Sequence, residues 1–233
     1  MPFQQIFPGV YEFANGIVNN WLIADDDGWT LIDTGYPNKE QTILDALAAF
    51  GKKPNDIKRI LLTHAHPDHV GGYAALKQVT GAPAWIHPLD AQVVRGAIPL
   101  PRVTPSPGLL PWLLFNALNR QMPNAIPRAE IENEIADGQR LPIGGGLRVI
   151  HTPGHSAGHC AFLLERDGNL LFAADACANV LGLGPSIVYE DYAQGRASLR
   201  QLAALNFDTV CFGHGKALHG ANAKKFNAKW KKT

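Results

Sequence analysis

Residues 63–69 read THAHPDH, so His64, His66, Asp68 and His69 crowd into six positions directly after the apolar run RILL. Burying so many unpaired polar groups would be costly, and a solvated loop would need no strand to aim them. A metal ion accounts for both the crowding and the aim. Imidazole with carboxylate favours zinc, iron or manganese, whereas a thiolate-rich site would read differently. Residues two apart in extended chain project the same way, so His64 and His66 can grip one ion. Pro67 then turns the chain, which lets Asp68 and His69 face a second. Three more metal-competent side chains end apolar runs: His155 in HTPGHSAGH, after LRVI; Asp175, closing LLFAAD; and His214, after TVCF. Strand ends are where sites collect in layered α/β folds.

The elements that must carry these residues read as strands and helices in alternation. IVNNWLIAD and GWTLIDTG, separated by DDDG, predict an antiparallel hairpin. PNKEQTILDALAAFG predicts a helix with Pro37 in its first turn, Ile43, Leu44, Leu47 and Phe50 on one face, and Gly51 closing it. IKRILLT predicts a buried strand, VGGYAALKQVTG a short helix closed by Gly81, and PAWIH a further strand. GLRVIHT, HCAFLLER and NLLFAAD predict strands, with RDGN as the turn between the last two. YEDYAQGRASLRQLAALN predicts a helix with Tyr192, Leu199, Leu202 and Leu205 among its apolar positions, and FDTVCFGHG a strand running into His214. Mixed strands with helices both early and late predict two sheets sandwiched between helices.

Residues 99–127 are dense in proline yet apolar in the middle, and prolines break any long helix there. Two readings stand: a loop packed on the core, or a lid or pocket wall that exposes Trp112, Leu113 and Phe115 to a substrate's apolar portion. The same stretch is also a candidate homodimer contact. A chain of 233 residues, 46% hydrophobic and 18% charged, can build one sizeable core, so a single domain over 1–233 with this insertion is expected. A net charge of +1 excludes a bulk electrostatic footprint for nucleic acid, and the basic KKFNAKWKKT reads as a solvated last helix. Cys160, Cys177 and Cys211 form no disulfide framework and fit a reduced compartment. MPFQQIFPGVYEF has neither the basic nor the long apolar region of a signal peptide, and LLPWLLFNAL is too short to span a membrane. A cytoplasmic protein with a small-molecule substrate is the expectation. Residues 154–158 (GHSAG) spell G-x-S-x-G, but they lie between two expected strands and not on a strand-to-helix turn, so Ser156 is not read as the serine of a nucleophile elbow.

THAHPDHVGG, HTPGHSAGH, FAADA and FGHG, in that order and with TLIDTG upstream, resemble the metallo-β-lactamase-fold hydrolase superfamily from about Gly16 to His219. The resemblance implies an α/β fold, a four-layer αββα sandwich of two mixed sheets with metals at one edge between them. It implies that His64, His66 and His155 hold one ion, that Asp68, His69 and His214 hold a second, and that Asp175 bridges the two. This is the ligand set of the dinuclear branch, glyoxalase II-like and lactonase-like. The implied cofactor is two Zn2+ per chain, with iron or manganese as alternatives. The implied reaction is attack by a metal-bound hydroxide, with Asp68 and Asp175 at the catalytic centre, on a small thioester, lactone or phosphoester. A mononuclear iron enzyme of the persulfide dioxygenase type is the alternative; a β-lactamase and a non-catalytic metal-binding protein are further ones. Longer glyoxalase II enzymes carry a helical glutathione-binding domain, which the 19 residues after His214 do not supply. Ala178 stands where quorum-quenching lactonases carry a tyrosine three residues past the bridging aspartate. Asp33 reads either as the partner that orients a histidine of the 64–69 loop or as a turn cap. His159 reads as structural or supporting, and His87, His151, His219 and Lys216 as ordinary surface or core residues.

Overall fold

The computed structural model describes residues 3–118, 123 and 125–231. The first half supplies strands β1 (Gln4–Phe7), β2 (Val10–Asn15), β3 (Val18–Asp25), β4 (Gly28–Ile32), β5 (Ile57–Leu61) and β6 (Ala84–Ile86), with helices α1 (Glu40–Ala48), α2 (Pro67–Val70), α3 (Tyr73–Thr80) and α4 (Pro88–Val94). The proline-rich stretch holds β7 (Thr104–Pro105) and α5 (Leu109–Leu118), and β8 (Asn133–Glu134) follows. The second half supplies β9 (Arg140–Leu141), β10 (Leu147–His151), β11 (Cys160–Leu164), β12 (Leu170–Ala174), β13 (Cys177–Ala178), β14 (Gly184–Pro185) and β15 (Val188–Tyr189). It ends with α6 (Tyr192–Ala203), β16 (Thr209–Phe212), β17 (Leu218–His219) and α7 (Ala223–Trp230). One sheet runs β1-β2-β3-β4-β5-β6-β8, the other β17-β16-β12-β11-β10-β9, and β13–β14 and β15–β7 make two short ribbons.

The layering follows from the alternation of side chains along each strand. Leu22 and Leu31 point outward from the first sheet and pack with Ile43, Leu47, Tyr73 and Leu76 of the helices above it. Their neighbours Trp21, Ile23 and Ile32 point inward and meet Phe162, Leu164, Phe172 and Cys211 of the second sheet. From that sheet's far face Ala161, Leu163, Leu171 and Val210 meet Leu199 and Leu202 of α6 and Phe226 and Trp230 of α7. Three apolar cores thus bind four layers: helices, sheet, sheet, helices. Each fully buried side chain of this size contributes about 1.5–3 kcal/mol, more than an exposed ion pair such as Arg95–Glu134.

Strand direction then decides where the loops gather. β4 and β5 run parallel, as do β12 and β16. β10 is antiparallel to β11 and β11 to β12, so β10 and β12 point the same way. The C-terminal ends of β5, β10, β12 and β16, which precede His64, His155, Asp175 and His214, therefore open on one edge of the sandwich.

Four local expectations are refined. The helix expected from Pro37 begins at Glu40; Pro37 instead packs on Gly71, where a Cβ would lie 2.3 Å from its Cδ. VGGYAALKQVTG forms no single helix but the end of α2 and then α3, broken at Gly71–Gly72. In 99–127, a ten-residue helix does form, because Pro111 falls in its first turn, where no intrahelical N–H is needed; residues 119–122 and 124 of this stretch lie outside the described residues. The last helix is not solvated all round, since Ala223, Phe226 and Trp230 are buried.

Glu12 on β2 offers a test of the inter-strand packing. It accepts a hydrogen bond from Trp21 Nε1 at 2.9 Å. Burial pushes its carboxyl from an ordinary 4.5 up to about 7, against the opposing pull of that bond. The folded-state value lies above the unfolded one, so the stability of the neutral form is lost as pH rises through about 7. Glu12→Gln keeps an acceptor for Trp21 and cannot ionise. It is expected to stabilise the fold by about 1–2 kcal/mol at pH 8.5 and little at pH 5. Thermal melts at the two pH values check this, and equal shifts at both would contradict it.

Candidate metal centre

At the shared edge the loops bring all seven expected residues together. His64, His66 and His155 offer ligand atoms within 4.8 Å of one another; so do His64, His69 and Asp175, and so do Asp68, His69 and His214. Six of the seven are buried, and His214 is half-buried. Close backbone packing makes room for them. A Cβ on Gly72 would stand 2.5 Å from Thr34 O, and one on Gly213 2.0 Å from Asp175 Oδ1. Asp33 and Ala174, at the ends of β4 and β12, take φ values of 59° and 45°. Such backbone conformations cost about 1–3 kcal/mol each and persist where surrounding structure imposes them.

The hydrogen bonds fix which nitrogen each ring presents. Thr63 Oγ1 spends its proton on Asp33 Oδ2 at 2.8 Å, so His64 Nδ1 must be the donor in its 2.9 Å contact with Thr63 Oγ1. His155 Nδ1 donates to Val188 O at 2.8 Å, His214 Nδ1 to Ile17 O at 3.0 Å, and His69 Nδ1 to Asp33 Oδ2 at 2.8 Å. His64 and His155, which burial keeps neutral, therefore aim unprotonated Nε2 lone pairs inward, while the Nε2 atoms of His69 and His214 turn toward Asp68 and Asp175. His64 Nε2 and His155 Nε2 face each other at 3.2 Å, and His66 Nδ1 lies 3.1 Å from His64 Nε2. Two facing lone pairs cannot form a hydrogen bond, whereas a cation between them satisfies both. In the other half, His214 Nε2 stands 3.3 Å from both Asp68 Oδ2 and Asp175 Oδ2. His69 Nε2 and Asp175 Oδ1, 3.5 Å apart and buried, have no hydrogen-bond partner. Buried polar groups are seldom left so, and the donor set fits divalent metal ions.

The electrostatics divide the same way. Burial holds His64 and His155 well below the usual imidazole range, reinforced by neighbouring imidazoles. Burial also opposes charge on His214, but Asp175 and Asp68 outweigh it and lift the ring to about 10. Burial pushes Asp68 up, and His69 and His214 more than reverse this, holding it at about 2. One half is thus neutral nitrogen, the other is carboxylate calling for positive charge. His159 is buried and neutral, pushed down to about 3 chiefly by burial. Its Nε2 accepts from Asp175 N at 3.2 Å while Nδ1 contacts Thr152 Oγ1 at 2.8 Å, so it braces Asp175 rather than facing the cluster.

The family model described as the metallo-beta-lactamase superfamily matches residues 14–214. The chain belongs to the metallo-beta-lactamase superfamily. Among curated members it is 31% identical over 201 residues to the lactamase-like protein aptB of Emericella nidulans, with 86% of this chain and 52% of aptB covered. It is 31% identical over 198 residues to a hydroxyacylglutathione hydrolase of Albidiferax ferrireducens, with 83% and 60% covered. The chain thus spans little more than half the length of these two superfamily members. A solved metallo-beta-lactamase of Cronobacter sakazakii superposes with a TM-score of 0.75 at 23% identity, over 100% of this chain and 95% of the other, a likeness of fold. Among the described residues no helix is long and apolar enough to cross a membrane.

Asp33, whose two roles the sequence left open, contacts His69 and receives the Thr63 N–H at 2.8 Å. Trp112 and Leu113 stand 53% and 49% exposed on α5, and Phe115 is half-buried there. Two residues that touch the cluster or its loops carry no sequence signal of their own: Gly213, which packs on Asp175, and Asp90, which accepts from Ala65 N between His64 and His66.

Proposed function

We propose that this protein is a dinuclear zinc-dependent hydrolase of small ester-like substrates, thioesters first among thioesters, lactones and phosphoesters. The observation that carries the reading is the pair of unprotonated nitrogens of His64 and His155, 3.2 Å apart, beside a second cluster with two carboxylates. His64, His66 and His155 would hold one ion and Asp68, His69 and His214 the other, with Asp175 between them. Bound there, the ions would supply Lewis acidity and lower the pKa of water from about 16 to about 7. Asp68 and Asp175 cancel only part of the ions' charge, which leaves a positive centre to draw in a substrate oxygen. Their carboxylates are also the groups placed to orient the attacking water. The relative named for the hydrolysis of an acylated glutathione supports putting thioesters first.

The test is metal analysis with a panel of thioesters, lactones and phosphodiesters. Two zincs per chain, and turnover lost on chelation and restored by zinc, are expected. One iron per chain with oxygen uptake on a glutathione persulfide would replace this reading.

An apolar portion of the substrate is supported by side chains outside the ligand set. Ile17 is 62% exposed and its carbonyl holds His214. Val180 and Leu181, 63% and 85% exposed, follow Asn179, which bridges to Gly215. On the His155 side, α5 follows the β7–β15 ribbon, which carries Val188. Replacing Trp112, Leu113 and Phe115 together with alanine is expected to raise KM for long acyl substrates about tenfold, the scale of one lost apolar contact, with short acyl substrates unaffected. An equal rise for both would contradict it.

A further inference from the structure

Asp90 is the third residue of α4 and is 3% exposed. Both carboxylate oxygens are engaged. Oδ2 accepts from Ala65 N and from Ser156 Oγ, and Oδ1 from Gly158 N, each at 2.7 Å. Ala65 lies between His64 and His66, Ser156 follows His155, and Gly158 precedes His159. One carboxylate therefore joins the histidine loop of the first sheet to the histidine loop of the second. The approach is tight: a Cβ on Gly158 would stand 2.5 Å from Asp90 Oδ1. The other cluster is held differently, His69 by Asp33 and His214 by Ile17.

We propose that Asp90 is a positioning residue that sets the separation of His64 and His66 from His155, and so tunes the affinity of the three-histidine cluster alone. This rests on the metal-centre reading above. The reason is geometric. His64 and His66 come from a loop about 90 positions away in the chain from that of His155, and two of the three contacts of Asp90 are to residues directly beside them. An amide in place of the carboxylate would turn an NH2 group toward at least one of three donors, forcing the loops apart at that point.

The experiment titrates zinc into wild type, Asp90→Asn, Ser156→Ala and His155→Ala against a competing chelator, and repeats it with cobalt to follow the ligand-field spectrum. His155→Ala identifies the ion belonging to the three-histidine cluster. Asp90→Asn is expected to weaken that ion about 10–100-fold, the scale of losing a partner behind a metal ligand, and to leave the other within about twofold. Its cobalt bands should shift for the same ion. Ser156→Ala removes one of the three bonds and should weaken that ion several-fold, which keeps the inference testable if Asp90→Asn does not fold. Equal weakening of both ions, or no weakening in a wild type that binds two, overturns the role of Asp90. A wild-type chain that binds no metal overturns the centre itself, and the role with it.

Discussion

Asp175→Ala is expected to lower kcat/KM by about 10³-fold or more and to loosen metal in both clusters at once, a larger effect than losing any one histidine. The expectation follows from where the carboxylate stands. Its Oδ2 lies 3.5 Å from His155 Nε2 and 3.3 Å from His214 Nε2, and its Oδ1 lies 3.5 Å from His69 Nε2. No other side chain of the seven reaches nitrogens of both the three-histidine cluster and the Asp68 cluster from a single carboxylate. Burial opposes its charge, and His214 and His69 outweigh that and hold it well below the usual carboxylate range. It therefore brings a full negative charge to a site proposed to bind cations. Asp175→Asn separates charge from shape, since it fills the same space and is expected to lose nearly as much. His214→Ala, by contrast, should free one ion and leave the His64, His66 and His155 cluster loaded. Metal content after dialysis, measured beside thioester kinetics, decides the matter. Two retained ions with kcat/KM within about tenfold of wild type would show that Asp175 does not stand between them.

Much of this centre was legible in the sequence because its carriers are short apolar strands and the candidate metal-holding residues come soon after their ends. β5, β10, β12 and β16 are short apolar runs, and the residue types that follow them do not belong in a core. Two sheets between helices were legible from the order of strand-like and helix-like runs, and in the structure the two faces of β3 and of β11 sort into separate cores. What was not legible depends on distance in the chain. Asp90 acts on Ala65, Ser156 and Gly158, up to 68 positions away, and nothing in PLDAQVV marks it. The strand VYEFAN, β2, pairs with β3 along its whole length, yet its own pattern mixes buried and half-buried positions too loosely to stand out. In α5 the prolines pointed to a loop. The helix forms because Pro111 sits where a proline is tolerated, and none of its described side chains is buried. Sequence pattern reports burial, and the described side chains of α5 have no full burial to report.

Gly213→Ala is expected to cost about 10²–10³-fold in kcat/KM and to release at least one ion, while the chain stays folded. Gly213 is not among the glycines of positive φ, so alanine is allowed there by the backbone and the cost is steric. The added Cβ would fall 2.0 Å from Asp175 Oδ1 and 2.8 Å from His69 Cε1. Neither group can yield freely. Asp175 N is tied to His159 Nε2, and His69 is tied to Asp33. Nor can the backbone simply back away, because Gly213 N donates to Ala174 O at 3.1 Å and Gly213 O accepts from Asn19 N at 2.8 Å. The strain must therefore pass to Asp175 or to His214, the next residue, and either shift spoils the convergence of ligand atoms. Overpacking of this kind costs about 1–3 kcal/mol of stability, which a sandwich with three apolar cores can absorb. Gly184→Ala is the control, since its nearest neighbour is Gly182 O at 3.9 Å and its φ is not positive. It should leave metal content and turnover unchanged. If Gly213→Ala did the same, the close approach of the β16 end to Asp175 would be disproved, and with it the account of how His214 and Asp175 are brought within reach of one pair of ions.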